Sequence, residues 1–177
     1  MGPALSVTQL RAMLRMGCHI SPEITAWARH MNQQLHHDLP AGRFITAFLG
    51  EIDSQTGGLT YFSAGQGPLL HYRQQDDAIT VLSADTYPLG IMADMTITVN
   101  RIDMTPGDVF AVISDGIFEA ANPENQRLGQ DRIEKILHRC RNRSAQDILA
   151  KIQEGTQAFT RDHPADDDRT ILIIKKI

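Results

Sequence analysis

The sequence predicts a single domain, residues 1–177, with a layered α+β fold. Apolar residues recur at helical spacing near both ends of the chain, whereas the middle alternates short apolar runs with turn residues, as strands do. The length of 177 residues suits one domain, and 42% of the residues are hydrophobic. A chain of this size and composition can bury a core of ordinary size without disulfide cross-links.

The chain begins with two predicted helices, which end before the turn residues Pro40–Gly42. The first helix covers residues 3–17, and its apolar face consists of Leu10, Met13, Leu14 and Gly17. The second begins near Pro22, with Ser21 as its N-cap. Its apolar stripe consists of Ile24, Trp27, Ala28, Met31 and Leu35.

The central part of the chain is predicted to form strands. Phe44–Ile52 and Leu59–Ala64 flank a stretch of turn residues and predict a hairpin. The first of these strands is apolar on both faces as far as Leu49, which predicts that it is covered on both sides. Further strands are predicted at Pro68–Arg73, Ile79–Leu82, Thr96–Ile102 and Val109–Ser114.

Helical spacing returns in the last third of the chain. One predicted helix places Ile133, Leu137 and Cys140 on one face. Ser144 caps a longer helix that follows, and the chain closes on an apolar strand, Thr170–Ile174. Helices, a run of antiparallel strands, helices and a final strand together predict the α+β class.

Composition argues against several classes of function. The chain has 17 Lys and Arg against 21 Asp and Glu, and a net charge of −4 does not suit a nucleic-acid binder that works through bulk charge. No apolar run approaches the ~18 residues of a membrane span, and we see no signal-peptide pattern. The two distant cysteines predict no disulfide framework, and therefore a reducing, cytoplasmic location.

Two acidic segments at the ends of apolar strands are the candidate sites. Asp115 and Gly116 follow the strand Val109–Ser114, and Asp166–Asp168, followed by Arg169, stand just before the last strand. Adjacent carboxylates repel one another unless a cation neutralises them, and Mg²⁺ and Mn²⁺ prefer such oxygen ligands. If the two strands are neighbours in one sheet, the carboxylates converge on one rim. Taken separately, each segment can also be a plain Asp-Gly turn or a solvated acidic loop.

Motifs along nearly the whole chain resemble the PPM-type (type 2C-like) metal-dependent serine/threonine phosphatases, in the branch of stage II sporulation protein E. Each motif is weak alone, but six in the right order are specific. They are Gly2–Leu5, Phe44–Ala47 with Glu51–Asp53, Leu59–Pro68, Pro88–Ile91, Pro106–Asp108 with Ser114–Ala120, and Asp167–Thr170.

The resemblance implies an α-β-β-α sandwich of two antiparallel sheets flanked by helices, with a two-metal centre of Mn²⁺ or Mg²⁺. It makes Asp115 and Asp167 metal ligands, while Gly116 keeps the approach to the metal open. Asp168 and Thr170 are expected to support the ligands or to orient Asp167. No catalytic residue is expected beyond the metal ligands. The implied substrate is a phosphoprotein, in particular an anti-sigma-factor antagonist in bacterial signalling.

The chain also departs from the family pattern. Gln66 and Ser63 replace the usual His and Asn, and Ser114 replaces Thr. The two earlier acidic metal motifs of the family are absent, so we expect an N-terminally truncated phosphatase domain with impaired activity. Its missing strands would leave sheet edges that favour a homodimer, and a sensor or receiver domain is expected upstream in the parent protein.

Two other interpretations remain open. The first is a catalytically inactive pseudo-phosphatase that serves as a protein-binding module. The second is a receiver-like α/β domain with an acidic pocket, which requires alternating strands and helices rather than hairpins.

Overall fold

The structure, a computed structural model, describes residues 2–161, 163–165 and 167–177. None of the helices in these ranges is long and apolar enough to span a membrane. The secondary structure elements follow the chain in the order α1 (Pro3–Ile20), α2 (Ile24–Asp38), β1 (Ala47–Ile52), β2 (Gly58–Ala64), β3 (Leu69–Arg73), β4 (Ala78–Leu82), β5 (Asn100–Asp103), β6 (Val109–Ile113), α3 (Asp115–Phe118), α4 (Gln130–Cys140), α5 (Ala145–Thr160) and β7 (Ile171–Lys175).

The strands form two sheets, with the orders β1-β2-β5 and β4-β3-β6-β7. β1 and β2 form the predicted antiparallel hairpin, in which Ala47 faces Ala64 and Ile52 faces Leu59. Every neighbouring pair in the second sheet is antiparallel as well. The predicted α+β class is therefore confirmed, and the receiver-like alternative, which needs a parallel sheet, is wrong.

The chain divides into two compact units. The first contains the chain up to Ser54 together with Gly58–Gln66 and Ala84–Ile102. Its helices α1 and α2 pack together, and the buried face of α2 shares a core with β2 and the 84–102 segment. This core contains Ile24, Ala28, Met31, Leu35, Phe62, Ala64, Leu89, Met95 and Ile97.

The second unit contains Gln55–Gly57, Gly67–Ser83 and Asp103–Ile177. All five residues of β6 are buried, because the strand lies between β3 and β7, and Val109, Ala111 and Ile113 join the core of α4 and α5. The predicted N-cap of α5 is present, since Ser144 Oγ accepts a hydrogen bond from the backbone N–H of Asp147 at 3.1 Å. The core residues contributed by α4 and α5 are Ile133, Leu137, Cys140, Ile148 and Ile152.

Two local predictions were wrong. Ser21 ends α1 instead of capping α2, because its N–H donates to Gly17 O at 3.0 Å, and α2 starts only at Ile24. The strand predicted from Thr96 is confined to Asn100–Asp103. The apolar residues before it, Met95 and Ile97, are instead buried in the core without strand pairing.

The prediction that both faces of the first strand are covered was also wrong. β1 lies at the edge of its sheet, and none of its residues is fully buried. Phe48 and Leu49 are half-buried, whereas Gly50–Ile52 are exposed. The side chains of Phe48 and Leu49 therefore border a surface cavity rather than a closed core.

Candidate metal centre

The two acidic segments meet because β6 and β7 are neighbours. The strands pair antiparallel, with Ile113 opposite Ile171, so the end of β6 and the start of β7 lie at the same edge of the sheet. This is the arrangement on which the sequence-based hypothesis of a shared carboxylate rim depended. The residues after Ile113 and before Ile171 are therefore placed side by side.

Ser114 joins the two segments through three hydrogen bonds. Its backbone N–H donates to Thr170 O at 3.0 Å, and its Oγ accepts from the backbone N–H of Thr170 at 2.9 Å. The same hydroxyl donates to Asp168 O at 3.2 Å. Both side-chain hydrogen bonds require only a hydroxyl group. Threonine, the residue of the family pattern at this position, also has one.

Gly116 is required by the close approach of the second segment. A Cβ atom at this position would lie 2.3 Å from Asp168 O and 3.3 Å from Asp167 O. Any side chain here would therefore force the backbone of these two residues to shift. A plain Asp-Gly turn was one interpretation of this segment in the sequence. Instead, Asp115–Phe118 form the single helical turn α3, and the glycine makes room for the backbone of residues 167–168.

Asp115 and Asp167 line one cavity of about 250 Å³. One oxygen of each carboxylate accepts a local backbone hydrogen bond: Asp115 Oδ1 from Gly116 N–H at 2.9 Å, and Asp167 Oδ1 from Asp168 N–H at 2.7 Å. Neither carboxylate forms an ion pair with another described side chain. The cavity is also lined by Gly116, Glu119, Ala120, Ala121, Asn125 and Arg127.

Asp168 and Thr170 contact this site through their backbones. The N–H of Asp168 bonds Asp167, and its carbonyl accepts from Ser114, as described above. Neither residue contributes to the lining of the cavity. A supporting role for their side chains stays a prediction. Asp166, the first carboxylate of the acidic triplet, lies outside the described residues.

The charges around the cavity are mostly negative. Asp115, Glu119 and Asp167 contribute carboxylates, and Arg127 is the cation that lines the cavity with them. Arg127 Nη1 donates to Glu119 Oε1 at 2.8 Å, which leaves the two aspartates without a neutralising partner in the described part of the chain.

This donor set fits part of a ligand shell for a hard divalent cation. Mg²⁺ and Mn²⁺ take a few carboxylate oxygens and complete their shells with water. No group of three or more His, Cys, Asp or Glu side chains with metal-binding geometry occurs among residues 2–161, 163–165 and 167–177. Glu119 is paired with Arg127, so the carboxylates that remain for a metal ion in this cavity are those of Asp115 and Asp167.

Sequence reasoning did not assign a role to Arg127 or Glu119. The Asn122-Pro123 dipeptide is a turn signal that predicts a reversal of the chain here. The turn it forms returns the chain so that Arg127 pairs with Ala121 in an antiparallel bridge. Only this return brings Arg127 beside Glu119 and the aspartates.

A larger cavity, of about 530 Å³, lies in the first unit between α1, α2 and β1. Most of its lining is apolar, with Leu14, Trp27 and Phe48 as the large side chains, and Glu51 is its only acidic residue. It offers no pair of carboxylates, so size alone does not indicate the chemical site.

The family model of stage II sporulation protein E matches residues 1–176, which is nearly the whole chain. The chain belongs to the stage II sporulation protein E family. This confirms the resemblance on which the sequence analysis relied. Members of this family have PP2C-type phosphatase domains, and such phosphatases depend on metal ions.

One curated relative is similar to most of this chain. The phosphoserine phosphatase RsbU of Bacillus subtilis (strain 168) is 26% identical over 148 residues, which cover 84% of this chain and 44% of the relative. The chain thus spans less than half the length of that relative.

The solved structures establish the fold. The SiaA-PP2C domain of Pseudomonas aeruginosa has a TM-score of 0.82 at 19% identity, over 97% of this chain and 69% of that one. The PP2C phosphatase domain of SpoIIE from Bacillus subtilis, solved with a fragment of its regulatory domain, has a TM-score of 0.77 at 20% identity, over 97% of this chain and 48% of that one. The predicted PPM phosphatase fold is confirmed.

Proposed function

We propose that this chain forms the catalytic part of a metal-dependent protein phosphatase that hydrolyses phosphoserine or phosphothreonine. The observation that carries the proposal is that Asp115 and Asp167, from segments joined by Ser114, line one cavity. Family membership supports the same chemistry, since RsbU, to which the chain is similar, is named a phosphoserine phosphatase.

In this proposal Asp115 and Asp167 hold Mn²⁺ or Mg²⁺. The chemistry that such cations supply is activation of a water and neutralisation of phosphoryl oxygens. Gly116 contributes by allowing the Asp167–Asp168 backbone to approach α3, and Ser114 keeps the two segments together. The Ser114 hydroxyl accepts a hydrogen bond from the backbone N–H of Thr170 and donates one to Asp168 O. The position of the Asp167 segment therefore depends on the residue that follows β6.

The proposed substrate is a phosphorylated anti-sigma-factor antagonist in the cytoplasm. RsbU, to which the chain is similar, is named a phosphoserine phosphatase, which supports a phosphoserine-containing substrate, and the free cysteines Cys18 and Cys140 suit a reducing compartment. The parent protein would carry a sensor or receiver domain upstream, together with further metal ligands. β1 lies at the edge of its sheet, and this edge would favour a homodimer if the additional strands expected upstream of it are missing.

One observation favours an inactive pseudo-phosphatase as the second candidate. The described residues supply two carboxylates to the cavity beside the ion-paired Glu119, and no set of three with metal-binding geometry. Two ligands on one side hold an octahedral ion weakly. Under this alternative the domain binds its partner protein without removing a phosphoryl group from it.

The test compares this chain with a version extended at its N-terminus to include the upstream segment. Phosphate release from a phosphorylated anti-sigma-factor antagonist is measured with Mn²⁺, with Mg²⁺ and in excess EDTA, and Mn²⁺ binding is measured by calorimetry. We expect metal-dependent turnover by the extended protein, and weak metal binding with little turnover by the 177-residue chain.

Four outcomes would contradict parts of this proposal. Full activity in excess EDTA would exclude a metal mechanism. Two tight Mn²⁺ sites in the short chain, or equal turnover by both proteins, would show that the present residues suffice. An extended protein that binds its substrate and metal but releases no phosphate would favour the pseudo-phosphatase.

A further inference from the structure

Arg127 shares its cavity with the two aspartates of the candidate metal centre. Its guanidinium forms an ion pair with Glu119, and its side chain is 67% exposed. An arginine carries five N–H donors, and this ion pair is a single contact through Nη1. The guanidinium therefore retains donors that can bind a second anionic group at the mouth of the cavity.

The backbone around Arg127 is held in place by a buried side chain. Asn122 is 5% exposed, and its Oδ1 accepts from the backbone N–H of Gln126 at 2.8 Å. The backbone N–H of Asn122 donates to Gln126 O at 3.0 Å, and the neighbouring Ala121 and Arg127 form an antiparallel bridge. The turn thus fixes the position at which the Arg127 side chain leaves the backbone.

The ion pair with Glu119 limits the orientation of the guanidinium. Glu119 follows α3 directly, and its backbone N–H donates to Asp115 O at 2.7 Å. The carboxylate that holds Arg127 is therefore attached to the same helical turn that carries Asp115. Arg127 is positioned relative to the candidate metal ligand and not only relative to its own loop.

The charge balance indicates what this arginine can bind. With three carboxylates and one guanidinium, the lining of the cavity repels an anion until divalent cations neutralise the aspartates. Once they are neutralised, Arg127 is the positively charged side chain facing the cavity. A guanidinium matches the tetrahedral oxygens of a phosphoryl group through two parallel N–H···O bonds, which a lysine cannot form.

We propose that Arg127 binds the phosphoryl group of the substrate beside the metal centre, with Glu119 holding its guanidinium in place. This inference rests on the proposed function and adds a substrate-binding residue to it. Arg127 contributes to phosphate affinity, whereas Asp115 and Asp167 contribute to metal affinity.

The test is calorimetric titration of inorganic phosphate into the chain in an excess of Mg²⁺. Arg127→Ala should weaken phosphate binding by roughly tenfold or more, as expected for loss of a charge-assisted hydrogen-bonding pair. Arg73→Ala is the matched control, because Arg73 forms an exposed ion pair with Asp76 at 2.7 Å outside this cavity. Glu119→Gln keeps Arg127 and retains a side-chain oxygen that can accept the hydrogen bond from its Nη1, while a nearby negative charge is removed, so phosphate should bind at least as tightly as in the wild type.

The outcomes separate this inference from the function on which it rests. Wild-type phosphate affinity in Arg127→Ala, an equal loss in Arg73→Ala or in Glu119→Gln, or no phosphate binding by the wild-type chain would overturn the role of Arg127. Circular dichroism confirms that each variant is folded. Phosphate binding that depends on Arg127, without any metal-dependent turnover by the extended protein, would contradict the proposed function alone. Normal turnover with unchanged phosphate affinity in Arg127→Ala would contradict this inference alone.

Discussion

Gly116 and Asp168 are packed so closely that a single added methyl group at residue 116 would lie 2.3 Å from the Asp168 carbonyl oxygen. The obstacle is backbone, which cannot swing aside as the end of a side chain can. The contact holds the segment that carries Asp167 against the helical turn that carries Asp115. The geometry of the candidate metal centre therefore depends on the absence of a side chain.

Gly116→Ala is expected to displace the Asp167–Asp168 backbone and to lower the free energy of unfolding by about 1–3 kcal/mol, as overpacking does. Mn²⁺ affinity should fall with it, measured by calorimetry. Gly155→Ala is the matched control: its added Cβ meets the side chain of Ile136, whose terminal Cδ1 can move aside, and alanine is favoured within α5. Unchanged Mn²⁺ affinity in Gly116→Ala would show that this contact does not position the ligand.

Ser114→Ala removes the hydroxyl that bonds Thr170 N–H and Asp168 O. We expect a loss of about 1 kcal/mol in stability by chemical denaturation, together with weaker Mn²⁺ binding, because the Asp167 segment loses its link to β6. Ser114→Thr retains the hydroxyl and should retain both properties. Ser144→Ala, which removes the N-cap of α5, should cost about 0.5–2 kcal/mol without changing metal affinity.

Asp115→Asn should abolish turnover in the extended protein while the fold survives. Loss of a group that merely supports a metal ligand costs about 10–100-fold, so loss of the ligand itself should exceed roughly 100-fold. The apo protein is expected to be as stable as the wild type or more so, because repulsion with nearby carboxylates is relieved. Asp94→Asn, an exposed position outside the cavity, is the control. Near-wild-type rates for Asp115→Asn would remove this residue from the site.

We expect His71 to make the free energy of unfolding depend on pH. The side chain is buried and its Nε2 has no hydrogen-bond partner among the described residues, although Asp108 Oδ2 lies 3.8 Å away. Burial lowers the pKa of His71 below its usual 6.5, and the nearby Asp108 carboxylate only partly opposes this shift. In the unfolded chain the imidazole takes up its proton near pH 6.5, whereas the folded state stays neutral to lower pH.

The free energy of unfolding should therefore fall as the pH drops through 6.5, by up to about 1.4 kcal/mol per pH unit, until the folded-state pKa is reached. Denaturant titrations between pH 8 and 5 measure this slope. His71→Gln should flatten it, whereas His30→Gln, at an exposed position, should leave it unchanged. The same slope in His71→Gln and in the wild type would assign the pH dependence to other groups.

Local features of the sequence predicted most elements because their causes are local. Ser144 caps α5 through a bond to a residue three positions away, and the spacing of Ile133 and Leu137 gives α4 one buried face. The hairpin of β1 and β2 follows from the turn residues between them. Ser21 misled the prediction because a serine beside a proline suits either the end of one helix or the start of the next.

The sequence by itself determined most of the elements, the order of the family motifs and the two acidic segments. Only the tertiary structure decided that the segments meet, because Ser114 and Thr170 are brought together by strand pairing, which depends on burial across the whole sheet. The same holds for Gly116, whose necessity arises from a backbone more than fifty residues further along the chain. Arg127 joins the site through a turn, which Asn122-Pro123 signals in the sequence, and through an ion pair with Glu119, which no spacing in the sequence encodes.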